Sequence, residues 1–244
     1  MTATGSMLAF HHLTVAVKDL PAAVDDWEAL LGWEKTKGER AIFNLTSGFI
    51  ELVEVDDGPT GIVEVAVLAD DVVSIAEAIE RSGGVVHHDA EGNVHIEPAV
   101  LSGVPLVLMA SQTQLPKNIE SPYVRFSHLV VAVSEYQRSV AKWTRYFAPW
   151  PQMEESSGEI SEHVPVGSSW FGLTATGGDA GALERFIARS GEGIYAVGVV
   201  VEDLAATVSI LQSRGARLVR DDSSNQVFVH PATTHGLLLD LVQQ

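Results

Sequence analysis

The side chains able to do chemistry in this chain are imidazoles and carboxylates: there are nine histidines, 32 Asp and Glu, and no cysteine. Thiolate metal sites, thiol nucleophiles and disulfides are thereby excluded. Five of these groups stand inside apolar, strand-like runs: His12, Glu51, Glu64, His128 and Asp240. An imidazole with two carboxylates suits a borderline-to-hard divalent ion such as Mn, Fe, Co, Ni or Zn. Such an ion polarises a carbonyl or enediolate oxygen, and Glu51, Glu64 and Asp240 are the candidate bases to move a proton. Each group also has an ordinary reading. A histidine on a sheet is commonly a hydrogen-bonded packing group, and Glu51 could be the solvated face of an edge strand. Asp240 lies in Leu-Leu-Leu-Asp-Leu-Val, where an unpaired carboxylate would cost on the order of several kcal/mol. It needs a partner, either an ion or an arginine.

The elements that position these residues are legible as an internal repeat. Phe10-His11-His12-Leu13-Thr14-Val15-Ala16-Val17 recurs as Phe126-Ser127-His128-Leu129-Val130-Val131-Ala132-Val133, and Val24 and Trp27 recur as Val140 and Trp143. A second pair aligns Gly61–Val67 with Gly193–Val199, then Asp71 with Asp203, Gly83 with Gly215, and Gly103 with Gly236. Four units therefore share one order: an alternating strand, a helix of about three turns, a hairpin and a last apolar strand. Helices are expected near Leu20–Leu31, Val72–Ser82, Tyr136–Phe147 and Leu204–Arg214, with a shorter one near Ala180–Arg189. Gly32, Gly83 and Gly215 serve as stops. The reading is α+β: four βαβββ modules, 8–56, 60–111, 124–177 and 191–244, in two domains, 1–112 and 122–244. A polar linker runs from Ser111 to Pro122.

Composition narrows the function. A net charge of −17 repels phosphate backbones, so nucleic acid is not an expected partner. No apolar run reaches the roughly 18–20 residues that cross a bilayer, and the N-terminus lacks the pattern of a secretory signal. The expectation is a cytoplasmic protein, monomer or homodimer, that meets a small-molecule substrate or ligand. Dinucleotide, nucleoside triphosphate and serine-hydrolase motifs are absent.

The segment His11–Leu20, the connection Glu184–Ile194 and the ending His230–Gln243 resemble the vicinal oxygen chelate superfamily, above all its glyoxalase-like and methylmalonyl-CoA epimerase-like members. The resemblance covers nearly the whole chain. It implies that paired modules form two cup-shaped half-barrels, with metal ligands taken from the first and last strand of each module. Strand alternation then places Leu13, Val15 and Val17 under a helix and His12 on the opposite face with Glu51. The corresponding pairs are Glu64/Val107, His128/Gly172 and Ala196/Asp240. If modules pair sequentially, one cup holds His12, Glu51 and Glu64, and a second pocket holds His128 and Asp240. If the first pairs with the fourth, the set is His12, Glu51 and Asp240. The resemblance points to a metal-assisted isomerase, epimerase or lyase working by enolisation on a small oxygenated acid or ketone. The alternative is a non-catalytic small-molecule binder, similar to the resistance proteins of the superfamily.

Overall fold

The computed structural model describes residues 5–36, 40–113, 121–147, 152–154, 160–175, 181–221 and 226–244. Module one consists of β1 (Met7–Val17), α1 (Leu20–Asp26), β2 (Ala41–Asn44) and β3 (Phe49–Glu54). Its remaining hairpin strand is reduced to a bridge between Lys35 and Phe43. Module two has β4 (Gly61–Ala69), α2 (Val72–Arg81), β5 (Val86–His88), β6 (Val94–Ile96) and β7 (Leu106–Ala110). Module three has β8 (Tyr123–Val133), α3 (Tyr136–Tyr146), β9 (Gln152–Glu154), β10 (Ile160–Val166) and β11 (Ser169–Ala175). After α4 (Ala182–Ser190), module four has β12 (Gly193–Val201), α5 (Leu204–Ser213), β13 (Leu218–Asp221), β14 (Gln226–Val229) and β15 (Leu239–Gln243). The four expected βαβββ modules are present, and the expected fifth helix lies where the sequence placed it. The centre of the expected linker, 114–120, lies outside the described residues.

Helix starts follow the repeat. Asp19, Asp71 and Asp203 each cap a helix by accepting from the backbone N–H three residues on, the usual remedy for donors left over at a helix start. α1 passes into a π turn over Trp27–Leu31 and stops at Gly32, whose φ is +64°, the left-handed stop that glycine takes without a Cβ penalty.

The strand orders are β2-β3-β1-β4-β7-β6-β5 and β13-β14-β15-β12-β8-β11-β10-β9. In every module the first strand pairs in parallel with the last, and the register repeats. Thr14 faces Glu51, Ala66 faces Val107, Val130 faces Gly172, and Gly198 faces Asp240. This one register makes the four last-strand positions equivalent, as strand spacing in the sequence implied.

Cα packing divides the chain into two compact units. One comprises Met1–Phe10, Glu64–Gln114 and His128–Tyr195, and the other His11–Val63, Leu115–Ser127 and Ala196–Gln244. Modules two and three thus share a unit, and modules one and four share the other. The unit boundaries fall within the first strand of each module, β1, β4, β8 and β12, and between residues 114 and 115; backbone bonds account for those in β1 and β8. The start of β1 joins module three's unit, where Gly167 N–H donates to Met7 O at 3.0 Å. The start of β8 joins module one's unit, where Thr46 and Ser47 N–H groups donate to Tyr123 O and Val124 O at 3.0 and 2.9 Å.

Each unit has its own aromatic core. Trp27 contacts Phe43 and Trp33, with ring centroids 4.9 and 5.7 Å apart. Tyr123 stacks on Trp33 at 4.1 Å and donates its hydroxyl to Leu31 O at 2.9 Å, and burial raises its pKa. In the other unit Trp143 contacts Phe171 at 5.4 Å and Phe147 at 5.9 Å. Both repeat tryptophans, Trp27 and Trp143, are therefore core residues.

The β5–β6 hairpin is tied by Asp89, which accepts from the backbone N–H groups of Glu91 and Asn93 and from the Asn93 amide. His95 Nε2 lies 3.1 Å from the same carboxylate. Burial pushes the Asp89 pKa up, but the hydrogen bonds from Asn93, His95 and Glu91 outweigh it and pull the value from 3.8 to about 2. The depressed value stabilises the fold above the unfolded pKa, and that contribution is lost as pH falls through about 2. We expect a carboxyl-carbon NMR titration of Asp89 to show a midpoint near 2, and an ordinary midpoint near 3.8 would contradict it.

Candidate functional site

On β1, Leu13, Val15 and Val17 are buried and His12 and Thr14 are half-buried. On β3, Ile50 and Leu52 are buried beside Phe43, on the side that meets Trp27. His12, Phe49 and Glu51 consequently share the face away from the helix. The same alternation buries Leu129, Val131 and Val133 of β8.

His12 lies flat against Phe49, its register partner, with centroids 4.6 Å apart and planes 2° from parallel. Its Nδ1 is 2.7 Å from Nδ1 of His11, so in the neutral pair one nitrogen donates and the other accepts. Strict alternation assigns His11 to the helix side, and the sequence reading passed it over. The structure buries His11. The loop before β3 is tight at this point: a Cβ on Gly48, whose φ is +116°, would lie 3.0 Å from His11 O.

Glu51 is buried and meets Arg40 in a two-pronged pair, Nε to Oε1 at 2.5 Å and the second guanidinium nitrogen to Oε2. The fork geometry of guanidinium matches a carboxylate and gives one of the stronger side-chain pairs. The Arg40 side chain is 64% exposed, so this partner comes from the solvent side. Asp240, on β15, is only 1% exposed and stands opposite Gly198 and Phe228.

Module three fills the equivalent face with rings. His128 stacks on Trp170 at 4.4 Å, and His163 stacks on the same indole at 3.8 Å, each 9° from parallel. β11 runs between β8 and β10, so the indole lies between the two imidazoles. His163 is buried. A Cβ on Gly172 would come within 2.5 Å of the Trp170 ring. Glycine stands at the position equivalent to Glu51 because the indole occupies that space.

His12, Glu51 and Asp240 fall in one compact unit, and Glu64 and His128 in the other. The donor types in the first unit fit a divalent ion. As the side chains stand, Glu51 is engaged by Arg40, and no three His, Asp or Glu groups among the described residues are placed to hold an ion together.

The fold built from these modules is a glyoxalase-like fold, shared with solved structures of low sequence identity. A triple variant of 4-hydroxymandelate synthase from Streptomyces coelicolor superposes with a TM-score of 0.75 at 14% identity, covering 97% of this chain and 92% of that one. A Mn(II)-bound glyoxalase from Novosphingobium aromaticivorans gives 0.68 at 14%, covering 98% and 83%. Homoprotocatechuate 2,3-dioxygenase from Brevibacterium fuscum, in complex with 3,4-dihydroxyphenylacetate, gives 0.70 at 13%, covering 98% and 81%. No family model and no curated protein matches the sequence. Among the described residues no helix is long and apolar enough to cross a membrane.

Proposed function

We propose that this chain is a metal-assisted enzyme acting on a small oxygenated organic acid or ketone. The observation that carries the reading is the grouping of His12, Glu51 and Asp240, three equivalent first- and last-strand positions, in one compact unit. The metal-bound glyoxalase and the ring-cleaving dioxygenases that share the fold support it. A bound divalent ion would supply charge to a substrate oxygen. Within this class the reaction we favour is enolisation, in an isomerase, epimerase or lyase. Its requirement from the chain is a carboxylate near the reacting carbon, for which Asp240 and Glu51 are the candidates in this unit. Arg40 holds Glu51, so Glu51 must exchange that partner before it can bind an ion or accept a proton.

The Arg40–Glu51 pair favours a second reading, a binding protein whose pocket uses the imidazoles and carboxylates as hydrogen-bonding groups. Metal analysis of the full chain, purified without chelator and dialysed after Mn²⁺ or Fe²⁺ loading, separates the two. We expect close to one ion per chain, and none under any divalent supplement would establish the binder.

A further inference from the structure

We infer that a cleft along α3 binds a small organic polyanion, at a place distinct from the face carrying His128 and Trp170. The cleft has a volume of about 570 Å³, inside the roughly 300–1,000 Å³ range of small-molecule sites. Trp143 of α3 packs on Phe171, while the neighbouring Trp170 meets the two imidazoles. Helix and ring stack therefore occupy opposite sides of β11, and the cleft lies on the helix side.

Its cationic wall is one helix face. Arg138, Lys142 and Arg145 recur at i, i+4 and i+7 and all line the cleft. At 1.5 Å of rise per residue, the two arginines stand about 10 Å apart along the axis, with the lysine between them. Lys142 is anchored through Nζ to Ala99 O at 2.5 Å. Arg138 makes only an exposed pair with Glu135 at 3.4 Å, a kind worth little in water. Arg145 has no ion pair or hydrogen bond to another described residue. The second acidic group on the wall, Glu192, is already engaged, accepting from Ser134 N–H at 2.7 Å.

The opposite wall is built and strained. Ser102 is buried at φ +50°, a conformation uncommon for a residue with a Cβ and enriched at functional sites. Its Oγ lies 3.3 Å from Ser139 Oγ on α3. Behind it, Gly103 approaches so closely that a Cβ would lie 1.9 Å from Glu192 O. These contacts fix the width of the cleft and leave hydroxyl groups beside the cations.

The other unit supplies an internal control. The same helix positions on α1, aligned through Trp27 and Trp143, carry Ala22, Asp26 and Ala29. There the residue equivalent to Ser102 is His235, also at positive φ, and its Nε2 lies 2.8 Å from Asp26 Oδ2. The fold accordingly does not demand the basic stripe. The chain has only 15 Lys and Arg in 244 residues, yet three lie within eight residues on one face. Screening over about 8–10 Å lets this local cluster outweigh the distant negative charge. Three cations spread over 10 Å, with serine donors between, suit a molecule bearing two or more phosphate or carboxylate groups.

The test is calorimetric titration of the full chain with inorganic tripolyphosphate and with citrate, at about 50 and 200 mM salt. Wild type should bind at least one probe, more weakly at the higher salt, and the preferred probe reports phosphate or carboxylate chemistry. The R138Q/R145Q double variant changes two exposed side chains, so its melting temperature should match wild type while its affinity falls at least tenfold. Arg81→Gln, a neutralised cation on α2, should bind as wild type. Absence of binding by both probes, or equal affinity in all three proteins, would overturn the proposal.

Discussion

Alanine at His12 is expected to abolish divalent-ion uptake, whereas alanine at His128 should leave ion content near the wild-type level. The two histidines are equivalent in the repeat and in register, each beside an aromatic residue of the last strand, Phe49 or Trp170. Their neighbours differ. The position two residues beyond Phe49 is Glu51, while the one beyond Trp170 is Gly172, covered by the indole. His12 shares its compact unit with two buried carboxylates, Glu51 and Asp240. His128 shares its unit with His163 and the half-buried Glu64. Two remaining donors rarely hold a divalent ion against water, so loss of one of three ligands removes most of the affinity. Metal analysis of the two folded variants beside wild type reads this directly. Ion loss in His128→Ala with retention in His12→Ala would move the working site to the other unit.

The second large effect is on stability. Trp143→Ala should destabilise the chain by about 3–5 kcal/mol, the range for removing a large aromatic side chain from a core. It should lower the melting temperature by roughly 10 °C. The indole is fully buried against Phe147 and Phe171, and its Nε1–H has no hydrogen-bond partner among the described residues. Trp143→Phe removes that unpaired donor and keeps most of the packing, so it should cost much less than the alanine variant. Thermal denaturation of both decides the matter. Equal losses would mean that the indole nitrogen finds a partner in solution.

Several features of this protein follow from its sequence alone because they are periodic and local. Apolar alternation in Leu13-Thr14-Val15-Ala16-Val17, aspartates before three helices, and glycines after them identify the modules, and the offset of 116 relates module one to module three. The period of two assigned His12 and Glu51 to the same strand face, and the repeated parallel register carries that assignment to Gly172 and Asp240.

Tertiary structure alone decided the rest, because it depends on contacts between distant residues. Module one shares its unit with module four, so His12 and Glu64 fall in different units, and sequence spacing left that pairing open. The Arg40 guanidinium on Glu51 joins residues of a loop and a strand that no pattern links. His11 stands beside His12, Nδ1 to Nδ1 at 2.7 Å, a contact that the strand pattern does not announce. His163 reaches Trp170 across two antiparallel strands, filling with rings the space that a carboxylate occupies in module one. The sequence reading did not pick out the cationic face of α3, and its cleft exists because the Ser102–Gly103 turn of module two packs against it.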